Sequence, residues 1–90
     1  MKGIKLIVSG RVQGVGFRYY TLRKAKEHQI SGNVRNLPDG AVKIIAFGKQ
    51  DNLNSFVSSV QKGPSLAFVS DITADDIEVD TIPEKFSIEY

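Results

Sequence analysis

Nine residues between a strand pattern and a helical pattern, GRVQGVGFR from Gly10 to Arg18, combine the residue types and spacing needed to hold an anion. Their three glycines let the backbone turn through positive φ and approach a ligand closely, because no Cβ intervenes. Arg18 falls in the first turn of the helix that follows. Unpaired N–H groups and the positive end of the helix dipole converge there. A guanidinium adds a planar fork of donors that matches a phosphate or a carboxylate. The pattern is not a Walker A loop, since no GK[ST] follows. Nor is it a dinucleotide fingerprint: Gly14-Val15-Gly16 runs into Phe17-Arg18-Tyr19, and the third glycine is missing. What remains is a short cradle for one phosphoryl group.

A second polar block, GNVRNLPDG from Gly32 to Gly40, contains Asn36, whose amide both donates and accepts hydrogen bonds. Each residue also has a plainer use. Asn36 suits the start of a turn, and Arg18 suits an exposed first turn or a pairing with the C-terminal carboxylate. The single histidine, His28, has no serine or carboxylate at a triad-like spacing and is given no catalytic role. Phe17, Tyr19 and Tyr20 read as packing residues.

The elements that must position these groups follow from periodicity. Ile4, Leu6 and Val8 alternate with Lys5, Ile7 and Ser9 as a strand with one buried face. From Phe17 a helix places Phe17, Thr21, Ala25 and His28 along one stripe and leaves Arg23, Lys24, Lys26 and Glu27 solvated. A second strand runs from about Ile30 to Asn36. Leu37-Pro38-Asp39-Gly40 then supplies a tight reversal. In the third strand Val42, Ile44 and Ala46 share one face, with Lys43, Ile45 and Phe47 outward. Asp51 is a candidate cap for a second helix carrying Leu53, Phe56, Val57 and Val60, which ends at Gly63-Pro64. A fourth strand spans about Ala67 to Thr73, where Val69 and Ile72 are out of phase unless a bulge intervenes. Residues 74–83 read as a loop or irregular edge, and Phe86 to Tyr90 as a closing strand. The order is βαββαβ plus a final strand, a ferredoxin-like α/β sandwich with both helices on one face of a mainly antiparallel sheet. Its first two strands run parallel, which puts the glycine loop and Asn36 at the same end.

Composition bounds the reading. Ninety residues, 41% of them hydrophobic, suit one domain over residues 1–90. Without cysteine there is no disulfide, thiolate metal site or thiol nucleophile. The apolar run near the N-terminus is too short for a signal peptide or membrane span, so a cytoplasmic location is expected. Net charge is +2, but residues 1–49 hold ten Lys/Arg and two acids, whereas residues 50–90 hold two lysines and eight acids. The glycine loop lies in the basic half, consistent with steering of an anionic ligand. Asp75, Asp76, Glu78 and Asp80 lack the glycine and terminal glutamate of a calcium loop and read as a solvated connector, not a metal site.

Taken together, GRVQGVGFR and GNVRNLPDG resemble the two signature blocks of the acylphosphatase family, small enzymes that hydrolyse the carboxyl–phosphate anhydride of acyl phosphates. The similarity extends along the chain to Gly63-Pro64-Ser65 and the closing FSIEY. It departs at Asn33, where many members carry an aromatic residue, and over 74–82, which align poorly. The resemblance implies that Arg18 binds phosphate, that Asn36 orients the attacking water, and that the amides of the loop Val12, Gln13, Gly14, Val15, Gly16 and Phe17 hold the phosphoryl oxygens. It also implies a monomeric enzyme without metal or cofactor, an acyl phosphate as substrate, and inorganic phosphate as product and competitive inhibitor.

Elementary chemistry is compatible with so sparse a site. The leaving group is a carboxylate with a pKa of about 4.3, which needs no proton donor. Phosphoryl transfer through a loose transition state depends mainly on positioning and charge stabilisation. Two other classes are conceivable: a module that binds acyl or carbamoyl phosphate without turnover, and an RNA-binding sheet of the same topology. The latter is not expected, because the first strand offers Ile7 where such sheets present an aromatic platform.

Overall fold

The computed structural model describes residues 1–90. In chain order the elements are β1 (Lys2–Arg11), α1 (Phe17–Glu27), β2 (Ser31–Asn36), β3 (Val42–Phe47), α2 (Gln50–Lys62), β4 (Phe68–Glu78) and β5 (Phe86–Glu89). The five strands form one sheet in the order β4-β1-β3-β2-β5. All neighbours are antiparallel except β2 and β5, which are parallel. Strands β1 and β2 therefore run the same way on either side of β3. Their C-terminal ends, which carry the glycine loop and Asn36, lie at one end of the sheet as expected.

The alternating apolar residues select the buried face. Leu6 and Val8 of β1, Val34 of β2, and Val42, Ile44 and Ala46 of β3 join Phe17 and Ala25 of α1, Leu53, Phe56 and Val60 of α2, and Phe86 of β5 in one core. Both helices thus cover the same face. Fully burying a side chain such as Phe17, Phe56, Leu6 or Ile44 stabilises the fold by roughly 1.5–3 kcal/mol each. On α1 the buried stripe is Phe17, Tyr20, Thr21 and Ala25. Tyr20 extends the expected stripe because its hydroxyl donates to the Ser59 carbonyl at 2.7 Å, tying α1 to α2. The buried Thr21 hydroxyl donates to the Phe17 carbonyl at 2.9 Å. His28, only half-buried, forms the C-cap rather than a core position. On the solvated side, Lys24 lies 3.1 Å from Glu27, and its hydrogen bond holds the Glu27 carboxyl below its ordinary pKa. No helix is long and apolar enough to cross a membrane.

Three sequence expectations change. Asp51 is not the cap of α2: the helix starts at Gln50 behind Lys49, with no side-chain cap. Asp51 instead sits in the first turn, where its charge favours the helix dipole. The fourth strand is longer than its hydrophobic pattern suggests, because residues 74–78 pair with Lys2 to Leu6. Backbone bonds need no apolar side chains, and an edge strand tolerates Asp75, Asp76 and Glu78 facing solvent; the register sets Asp75 against Lys5 and Glu78 against Lys2. Phe47 does lie on the outer face, but it is buried, packed where a side chain at Gly3 would stand. The bulge needed to reconcile Val69 with Ile72 is present. Gly10 pairs with Val69 and Ser9 with Asp71, so Ser70 is the extra residue. Gly10, at φ 124°, approaches the Phe68 carbonyl so closely that any Cβ would collide with it.

Candidate active site

The cradle is pinned at both ends and open between. Val12 and Phe17 are buried in the core, and Val15 packs against it from the middle of the loop. Between these anchors Gly14 and Gly16 adopt φ of 75° and 78°, in the left-handed region. A Cβ on either would meet nothing within 4 Å, so conformation rather than crowding selects glycine here. Gly16 is the N-cap of α1 without a side-chain cap, and no acidic residue occupies the first turn. The leading N–H groups of α1 therefore lack intrahelical partners and local counter-charge.

Arg18 extends beside them. Its guanidinium carbon stands 4.7 Å from the centroid of the Tyr90 ring, a cation–π stack at the chain's end. The two ion pairs of the molecule, the Met1 ammonium with Glu78 and Lys24 with Glu27, leave Arg18 unpaired, so it does not bind the terminal carboxylate. Across the cavity, Asn36 ends β2. Its Oδ1 is the one buried side-chain nitrogen or oxygen without a hydrogen-bond partner. A buried carbonyl that no protein group satisfies is free to accept a hydrogen bond from a water or ligand in the cavity.

Both groups border one cavity of about 200 Å³, with Val12, Gly14, Gly16, Phe17, Tyr19, Ile88 and Tyr90 as the other lining residues. The lining contains no carboxylate side chain, histidine or cysteine. Such a site offers a cation, amides and a polar carbonyl, and no side-chain acid–base pair. Of the expected cradle residues, Gln13 and Val15 do not border the cavity. The Gln13 side chain turns away and donates to the carbonyls of Leu37 at 2.8 Å and Ala41 at 2.9 Å. Three lining residues were not singled out for the site from the sequence. Ile88 and Tyr90 arrive because β5 runs parallel to β2, with Ile88 opposite Val34. Tyr19 was expected to pack, yet it is exposed at the rim. Only a pairing of the last strand with the second, which spacing does not encode, would have located the first two.

A ferredoxin-like sandwich with a glycine cradle, an unpaired arginine and an amide at one strand end defines a small domain that handles single phosphoryl groups. The family model "Acylphosphatase" matches residues 4–88. A relative from Archaeoglobus fulgidus named acylphosphatase is 46% identical over 90 residues, with both chains covered in full. The crystal structure of acylphosphatase from Bacillus subtilis is 40% identical and superposes with a TM-score of 0.94 over all of both chains. HypF of T. kodakarensis contains a similar segment, 32% identical with a TM-score of 0.90, which covers 99% of this chain and 12% of that one. The chain belongs to the acylphosphatase family. It is a hydrolase with acylphosphatase activity.

Proposed function

We propose that the chain hydrolyses the carboxyl–phosphate anhydride of small acyl phosphates by direct attack of water on phosphorus. Arg18 and the amides of the Val12–Phe17 loop bind the phosphoryl oxygens, and Asn36 holds the water. The observation that supports this most strongly is the joint lining of one small cavity by an unpaired guanidinium and an unpartnered buried Asn36 Oδ1. A water that donates a hydrogen bond to Oδ1 has its lone pair free to face phosphorus. The new P–O bond forms as the acyl P–O bond breaks, and the electron pair leaves on the carboxylate. The attacking water's proton passes to the phosphate product or to solvent, so no side chain need titrate. The guanidinium and the helix N–H groups meet the charge on the equatorial oxygens, the main source of acceleration in such a transfer.

The cavity, about 200 Å³, is small and its polar groups face a single phosphoryl group, so a larger acyl part extends past the rim and specificity for it is broad. Inorganic phosphate, the product, competes for the same donors. We propose further that residues 1–90 act as one domain, as a monomer without cofactor, in the cytoplasm. Nucleic acid is not a partner in this reading: on their outer face the central strands β1 and β3 carry Ile7 and Ile45, while their one aromatic, Phe47, is buried. The test is hydrolysis of benzoyl phosphate in the presence of a chelator. Turnover is expected, with competitive inhibition by phosphate. Loss of turnover on chelation, or inhibition by phosphate that is not competitive, would overturn the scheme, and light scattering checks the monomer.

A further inference from the structure

The two halves of the cavity belong to strands that do not touch. The cradle follows β1, Asn36 ends β2, and β3 lies between them. Val42 is the last β3 residue to connect the two sides, pairing with Val8 of β1 and with Asn36 of β2. Beyond it the β1–β3 ladder stops, and the cradle has no backbone link to the turn behind Asn36. Gln13 supplies that link. Both protons of its part-buried Nε2 are donated across the gap, to the carbonyls of Leu37 and Ala41.

We infer that Gln13 is a positioning residue: its amide fixes the distance between the phosphate cradle and Asn36, and so places the water against phosphorus. The inference rests on the role of Asn36 proposed above. Leu37 directly follows Asn36, so a bond to its carbonyl anchors the residue next to the water-holding one. The Gln13 side chain points away from the cavity, so whatever its backbone N–H contributes to the cradle is unchanged by a side-chain substitution. The turn itself does not depend on it. Leu37 N–H donates to the Ala41 carbonyl at 2.8 Å, Gly40 N–H to the Leu37 carbonyl at 3.2 Å, and Ala41 N–H to Asp39 Oδ1 at 3.0 Å. Each carbonyl that Gln13 contacts therefore keeps a partner when Gln13 is replaced. The expected loss is alignment, not folding, and small misalignments are costly in a reaction that depends on geometry.

The experiment measures kcat, KM and the phosphate inhibition constant for Gln13→Met and Asn36→Ala, alone and combined, on benzoyl phosphate. Gln13→Met is expected to lower kcat on the order of tenfold while KM and phosphate inhibition stay within about twofold, since the phosphate donors are untouched. In the Asn36→Ala background the same change is expected to have almost no effect, because the residue being positioned is gone. Gln13→Glu serves if the methionine variant unfolds. Its carboxylate cannot donate at neutral pH, but the protonated acid can, so its kcat relative to wild type should rise as pH falls toward about 4.3. An unchanged kcat in Gln13→Met, a full independent loss in the Asn36→Ala background, or weakened phosphate inhibition with normal kcat would each overturn the inference. If Asn36→Ala alone leaves turnover intact, the water-holding role itself fails, and the inference with it.

Discussion

The two ends of the sheet carry hollows of opposite character. At the end where β1 and β2 finish, the cavity is small, about 200 Å³, and holds an unpaired guanidinium, open glycine backbone and a buried carbonyl without a partner. At the other end a hollow of about 770 Å³ lies over Ile30, Phe47 and Phe86, rimmed by Lys2, Lys26 and Lys85. That larger hollow is a gap between the end of α1 and the segment leading into β5. None of its buried polar side-chain atoms lacks a partner, and its lysines are long, flexible and solvated. Size does not locate the chemistry. In the proposed assignment a buried polar atom without a protein partner does, and of the two hollows only the smaller has one.

The contrast can be broken most directly at Arg18. Arg18→Ala should reduce kcat/KM for benzoyl phosphate by at least ~10²-fold, the scale seen when a key transition-state donor is removed. Melting should be little changed, because the guanidinium makes no ion pair and the Tyr90 ring on which it stacks is exposed. Asn36→Ala should lower kcat on a similar or slightly smaller scale, on the order of 10²-fold, with KM nearly constant. Its unfolding free energy in urea should stay within about 1 kcal/mol of wild type, since the Asn36 Oδ1 accepts no hydrogen bond from another protein group. A clear destabilisation would mean that the Asn36 side chain bonds another protein group in the folded chain. Gly16→Ala should cost about 1–2 kcal/mol of stability, because alanine resists the left-handed conformation that the loop requires. Lys26→Ala and Lys85→Ala, at the larger hollow, should change stability by no more than about 0.5 kcal/mol and leave phosphate inhibition intact. Weakened phosphate inhibition in either would erase the distinction between the two ends.

Much of this was legible in the residues because local physics dictates it. Alternation identified β1 and β3, and the glycine run marked where β1 must give way to α1. The out-of-phase Val69 and Ile72 announced the bulge at Ser70. What stayed hidden depended on contacts between distant segments. The acidic residues 74–78 gave no apolar signal, yet the free edge of β1 bound them. Phe47 alternates outward but is buried because a glycine lies beneath it. At the site, Arg18 and Asn36 were visible by type and spacing. The Tyr90 stack and the Gln13 bridge were not, since each joins residues that only the folded strand order brings together.

The central claim, that water attacks phosphorus in the smaller cavity, is tested by hydrolysing benzoyl phosphate in ¹⁸O-labelled water and locating the label by mass spectrometry. Attack by a water held at Asn36 places ¹⁸O in the inorganic phosphate and leaves the benzoate unlabelled. Label in the benzoate would mean attack at the acyl carbon, and the roles proposed for Arg18 and Asn36 would not stand.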